Sequence, residues 1–173
     1  MKTTQWDAVQ AARRAVKGDS QAFAELADGV KMSLYTAAWA KMSNEADALE
    51  AVDETIYKAY RSIRRLREPQ YFKTWITRIL INTCNSMLTK RRRETLAADL
   101  REEVCRDDLD GIALKDAVKM LPGELQDVIA LRFLSDMTVR DTARVLDLAE
   151  GTVKTRQRRA LTLLKVELKE DNE

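Results

Sequence analysis

The side chains best placed for chemistry in this sequence are cations, and they are clustered. Between Arg61 and Arg93, ten basic residues (Arg61, Arg64, Arg65, Arg67, Lys73, Arg78, Lys90, Arg91, Arg92, Arg93) meet one acid, Glu68. Such a tract seeks phosphate, because each ion pair with a polyanion releases a counterion. Tyr71, Phe72 and Trp75 interrupt it. Cations that hold a backbone beside rings on which unpaired bases stack, at about 1–3 kcal/mol per base, suit single-stranded nucleic acid. Phe72 and Trp75 also lie on an apolar stripe and are assigned to a core. Tyr71, with the loop arginines Arg64, Arg65 and Arg67, is the better contact.

A second basic group comprises Thr152, Lys154, Thr155, Arg156, Arg158 and Arg159 on the last predicted helix, which starts near Glu150. At 100° per residue, Val153, Gln157, Ala160, Leu161 and Leu164 point inward. Thr155, Arg158, Arg159 and Thr162 point outward, flanked by Lys154 and Arg156. About 16 residues make roughly 24 Å of helix, and such a helix fits a major groove with its N-terminal half at base edges and phosphates. A basic face that merely solubilises the C-terminus is the plain alternative. A third group, Glu50, Asp53 and Glu54 with Lys58, repels DNA; it either meets a basic protein partner or is ordinary solvated helix charge.

Other chemistry is absent from the composition. The 173 residues contain no histidine, which removes imidazole acid/base catalysis, His-assisted nucleophiles and imidazole metal ligands. No glycine-rich phosphate loop occurs. Cys84 and Cys105 form no CxxC, and Cys84 reads as a reduced, buried thiol. No enzyme activity, metal or cofactor is expected. Without a long apolar run or an export signal, neither membrane insertion nor export is expected, and the location predicted is cytoplasmic.

The elements that must position these groups are helices. Five glycines and two prolines leave little material for hairpins, and Ala, Leu, Arg, Lys and Glu abound, so the fold class is all-α. A helix capped by Asp19 or Ser20 carries Phe23, Leu26, Ala27, Val30 and Leu34 and runs to about Met42. The next begins near Asn44, with Ala48, Ala51, Val52, Ile56, Ala59, Tyr60 and Ile63 on its apolar stripe. Pro69 ends it by way of a loop over Arg64–Gln70. A long helix from Phe72 then ends in Lys90-Arg91-Arg92-Arg93. From Glu94 to Asp110 the sign reverses, with seven acids against two arginines, and this stretch reads as a partly helical linker. Beyond Pro122 come a helix with Val128, Ile129, Leu131 and Leu134, a turn at 135–137, and a short helix opened by the capping box Thr138/Asp141. Short helix, turn at 147–149 and basic helix, with small Ala143 at the crossing, form a helix-turn-helix.

In this order the segments AVKGDSQAFAEL, EADALEAVDETIYKAYRSI, FKTWITRILINTCNSMLTKRRR, LPGELQDVIALRF and TVRDTARVLDLAEGTVKTRQRRAL resemble the extracytoplasmic-function group of bacterial sigma factors. The resemblance spans about Val16 to Leu168. It implies a region 2 domain over 1–93, an acidic linker over 94–112 and a region 4 helix-turn-helix domain over 113–173. It implies that Glu50, Asp53, Glu54 and Lys58 dock on the β′ clamp helices of core RNA polymerase, with the β flap a further contact. Arg64, Arg65, Arg67, Tyr71, Arg78, Asn82, Lys90, Arg91 and Arg92 would then engage the melted minus-ten element. Thr152, Lys154, Thr155, Arg156, Arg158 and Arg159 would engage the duplex minus-thirty-five element. An anti-sigma factor is the implied regulator, and the linker would follow the RNA channel of the polymerase. Asp53 and Glu50 stand where the family often has Gln and Asp, Asp147 replaces a turn glycine, and Ala149 a serine cap.

The two promoter elements lie roughly 25 base pairs apart, or about 85 Å. An extended linker of about 18 residues reaches roughly 60 Å, so two domains of radius about 15 Å just span the distance. An autonomous dimeric helix-turn-helix regulator and a helical adaptor without a nucleic-acid role are the competing readings.

Overall fold

The computed structural model describes residues 5–42, 44–98 and 117–170, and among them there is no strand. The first unit contains α1 (Gln5–Val16), α2 (Ser20–Met42), α3 (Glu45–Ser62) and α4 (Phe72–Ala98), with two 3-10 turns, Ile63–Arg65 and Pro69–Tyr71, between the last two. The second contains a short helical stretch at 117–120, then α5 (Gly123–Ile129), a π-helical turn (Ala130–Leu134), α6 (Val139–Leu146) and α7 (Glu150–Glu170).

Local chemistry sets these boundaries. The Ala22 backbone N–H donates to Asp19 Oδ1 at 3.0 Å, starting α2. That bond, more than the nearby Arg14, holds the Asp19 carboxyl below its ordinary pKa. The Asp47 N–H donates to Asn44 Oδ1 at 3.1 Å, starting α3. Thr138 accepts from the Asp141 N–H at 3.0 Å and starts α6. The expected reciprocal bond differs in one respect, because the Thr138 hydroxyl itself donates to the Asp141 carboxylate at 2.6 Å. Asp147 closes α6 in the left-handed conformation, at φ 56°, which Asp tolerates better than most residues.

In the first unit α2 packs against α1, α3 and α4. Alanines 22, 27, 37, 38, 48, 51 and 59 are buried at these crossings, and small side chains let helix axes approach closely. Leu34, Val52, Ile76 and Leu80 are almost fully enclosed; each contributes about 1.5–3 kcal/mol by leaving water. In the second unit α5 packs on α7, and Val128, Ala143 and Val153 form a small core at the helix-turn-helix crossing.

Four expectations need correction. Helix α1 precedes the first helix expected, burying Ala12 and Ala15. Tyr60 is half exposed, its ring in a T-shaped contact with Phe23 at a centroid distance of 5.2 Å. Leu161 is partly exposed rather than inward, the core side of α7 being Val153, Ala160 and Leu164. Helix α4 does not end in the basic run at Arg93 but continues to Ala98, which agrees with an acidic stretch that is partly helical. The rest of the linker, including Cys105, Asp107, Asp108 and Asp110, lies outside the described residues.

The two units also touch, where the sequence reading strings them apart. Leu131, Met137 and Val145 of the second belong to the same buried cluster as Leu34, Ile76 and Leu80 of the first, and Ala40 joins the cluster of α5 and α7. The final helix nonetheless keeps Arg158 and Arg159 exposed.

Candidate nucleic-acid interface

On α7, Thr152, Lys154, Thr155, Arg158 and Arg159 are exposed, while Val153 and Ala160 seat the helix against the second unit. The backbone N–H groups of Thr152 and Val153 bond to the Ala149 carbonyl, so the helix starts without a side-chain cap. Arg156 departs from its neighbours. It is only partly exposed and pairs with Glu124 at 2.7 Å, tying α7 to α5.

The first unit's basic residues fall on two ends of α4. At the loop end Arg64, Arg65 and Arg67 are exposed. Arg64 Nη2 lies against Gly18, where a Cβ would come within 3.3 Å; Gly18 sits at φ 105°, a conformation side-chain-bearing residues rarely adopt. At the far end Lys90 pairs with Glu94 at 3.9 Å, Arg91 pairs with Asp47 on α3, and Arg92 is exposed. Asn82 is exposed midway. The two ends are therefore separate patches, and the aromatic among the candidate contacts, Tyr71, lies at the loop end, partly buried. Phe72 is buried and Trp75 is partly buried against it.

One face of the Tyr71 ring is covered. The Arg144 guanidinium of α6 lies 4.2 Å from the centroid of the Tyr71 ring. Hydrogen bonding to Tyr71 chiefly raises the Arg144 pKa, and Asp141 and Glu68 add to it. Beside it, Lys73 Nζ donates to the Ser135 carbonyl at 2.9 Å, and Thr74 Oγ1 donates to Asp141 Oδ1 at 3.4 Å. Arg78 Nη2 is 3.9 Å from Asp147 Oδ1. The π-helical turn delivers Ser135, whose N–H bonds five residues back to the Ala130 carbonyl. The Ser135 hydroxyl donates in turn to the Ser33 carbonyl at 3.1 Å.

Deeper between the units, Lys41 Nζ meets Asp127 Oδ1 at 2.6 Å with both side chains largely buried. No sequence motif marks these partners, which lie 62 to 102 residues apart. Cys84 is enclosed nearby. Burial above all, with Asp127 adding and Lys41 opposing, pushes its thiol up to about 11. Since the folded pKa exceeds the ordinary 9.0, the stability contribution is intact below pH 9 and lost as pH rises toward 11. At pH 8 we expect Cys84 to react with a disulfide reagent at least about 100-fold more slowly in the native chain than in denaturant, because only the exposed thiolate attacks. Peptide mass spectrometry reads Cys84 separately from Cys105; equal rates in the two conditions would contradict the buried assignment.

The acidic group on α3 is open. Glu50, Asp53, Glu54 and Lys58 are exposed and line one wall of a shallow groove whose other wall is Thr83, Ser86, Met87 and Lys90 of α4. Lys58 bridges the walls, pairing with Glu54 at 3.2 Å and donating to Thr83 Oγ1 at 3.3 Å. Among the described residues no cluster of side chains suits a metal ion, and no helix is long and apolar enough to cross a membrane.

A bundle with exposed cations joined to a helix-turn-helix with an outward basic helix defines a two-part helical DNA-binding protein. Residues 26–94 match the family described as Sigma-70 region 2, and residues 112–164 match Sigma-70, region 4. The chain is 33% identical over 146 residues to the RNA polymerase sigma factor SigV of Bacillus subtilis, covering 82% of this chain and 88% of that one. It is also 33% identical to the ECF RNA polymerase sigma-E factor of Haemophilus influenzae, over 68% of this chain and 72% of the relative. Among solved structures, the sigma factor RpoE of Bartonella quintana, in complex with the anti-sigma factor NepR, superposes with a TM-score of 0.77 at 28% identity, covering 85% of this chain and 96% of that one. The chain belongs to the RNA polymerase sigma factors of the Sigma-70 family, in the extracytoplasmic-function group. A sigma factor joins core RNA polymerase and directs initiation at promoters, and this chain does so.

Proposed function

We propose that residues 1–93, 94–112 and 113–173 act as region 2, linker and region 4. In this reading α7 reads the minus-thirty-five element through Thr152, Lys154, Thr155, Arg158 and Arg159. The loop arginines, Tyr71, Arg78, Asn82 and the Lys90–Arg92 cluster hold the melted minus-ten strand. The open acidic face of α3 docks on the β′ clamp helices, and the second unit also meets the β flap. The observation that carries the reading is the outward set Lys154, Thr155, Arg158 and Arg159 on a helix seated behind a capped α6 and a left-handed turn. Arg156, paired with Glu124, acts by orienting α7.

The factor acts in the cytoplasm without catalysis of its own. A relative solved with an anti-sigma factor, and similar to this chain over both units, supports regulation by such a partner. In vitro transcription tests the function. Purified core enzyme with genomic fragments is expected to start RNA at discrete sites only when this protein is added, and RNA unchanged by its addition would refute the reading. Holoenzyme binding should weaken with salt at a log-log slope near about −5, for about six phosphate contacts.

A further inference from the structure

The contacts that cover Tyr71 share a chemical pattern. A planar cation, Arg144, lies over the ring at 4.2 Å, where a base would stack. Oxygen acceptors meet the neighbouring donors: the Ser135 carbonyl takes Lys73, the Asp141 carboxylate takes Thr74, and the Asp147 carboxylate faces Arg78. Phosphates of a nucleic-acid strand would offer such donors the same kind of acceptor. Asp147 is held there by its left-handed turn, and Ser135 by the π-helical turn before it. Two irregular backbone features of the second unit thus present their oxygens to one face of the first.

We infer that the α6 face of the second unit is an internal stand-in for the single-stranded minus-ten DNA, occupying its site whenever the two units are closed. The inference rests on the proposed assignment of Tyr71 and Arg78 to that strand. The surface contacts are individually weak, so DNA can displace the stand-in once the units part. Binding of a strand is then reduced by the fraction of molecules that are open. The face of α7 lies outside this contact and stays exposed, so the arrangement masks one promoter site and leaves the other presented.

Charge gives the test a sign. Removing a cation ordinarily weakens DNA binding, whereas uncovering Tyr71 strengthens it. Fluorescence anisotropy of the full chain with a labelled mixed-sequence single strand of about 12 nucleotides should show Arg144→Gln binding at least about 3-fold more tightly than the unaltered chain, and Arg144→Gln with Asp147→Asn at least about 10-fold. Circular dichroism melts confirm that the variants fold. Adding Tyr71→Ala or Arg78→Ala to Arg144→Gln should abolish the gain. If Arg144→Gln leaves binding unchanged or weaker while Tyr71→Ala or Arg78→Ala in the otherwise unaltered chain still reduces it, the stand-in is refuted and the minus-ten assignment survives. If neither Tyr71→Ala nor Arg78→Ala changes binding in any background, the assignment itself fails, and the stand-in with it.

Discussion

Replacing Lys154 and Arg159 together with alanine is expected to abolish initiation at promoters that depend on the minus-thirty-five element, by about 100-fold or more. Both side chains are exposed on α7, and among the described residues neither is restrained by an ion pair of the kind Arg156 makes with Glu124. Each good contact of a basic side chain with a base edge contributes about 1–3 kcal/mol, and at about 1.5 kcal/mol each two losses multiply to roughly 100-fold. The substitutions remove no core contact, because the helix is seated by Val153, Ala160 and Leu164. Core-polymerase binding and the thermal melt should therefore stay unchanged. Run-off transcription, with a pull-down of core subunits as the control, checks both halves. Transcription at wild-type level from a minus-thirty-five-dependent promoter would remove α7 from the reading.

Substituting Asp127 with alanine is expected to part the two units. The Lys41–Asp127 pair is largely shielded, the lysine side chain being 8% exposed and the aspartate 15%. An ammonium left alone there would cost about 3–5 kcal/mol. Lys41 can escape that cost if the units separate and water reaches it, so the penalty is limited to the free energy of opening. A closed chain of this length has a radius of gyration near about 16 Å. Small-angle scattering of Asp127→Ala should give a clearly larger value, with faster amide exchange where α5 faces α2. Replacing both partners with apolar residues of similar size, Lys41→Met with Asp127→Leu, should restore the compact form. An unexpanded Asp127→Ala chain with an unchanged melt would show that the pair does not hold the units together. Opening bears on function, because contact with two elements about 85 Å apart is beyond the reach of a compact body of this size.

Much of this molecule was legible along the chain. Asp19, Asn44 and Thr138 each start a helix, and Asp147 closes one, through bonds or dihedrals that involve only near neighbours. The basic face of α7 follows from helical spacing once Val153 and Ala160 are seen to face inward. Helix α1 does carry a helical stripe, with Ala8, Ala11, Ala12, Ala15 and Val16 on its core side, and only its packing against α2 shows that this alanine stripe is buried. Tyr60 and Leu161 lie on or beside apolar stripes but at the edges of their packed faces, where periodicity alone cannot tell a rim from a centre.

Which helices form, where they start, and which faces carry cations or acids were decided by the order of residues alone, because hydrogen-bonded caps and a 3.6-residue period act over a few positions. How the two units meet was decided only in three dimensions. Arg144 over Tyr71, Asp147 near Arg78, and Lys41 buried on Asp127 join residues 69 to 86 positions apart. Such pairings depend on the packing of whole helices, and a carboxylate that will meet an arginine across an interface looks, in the sequence, like one that will meet water.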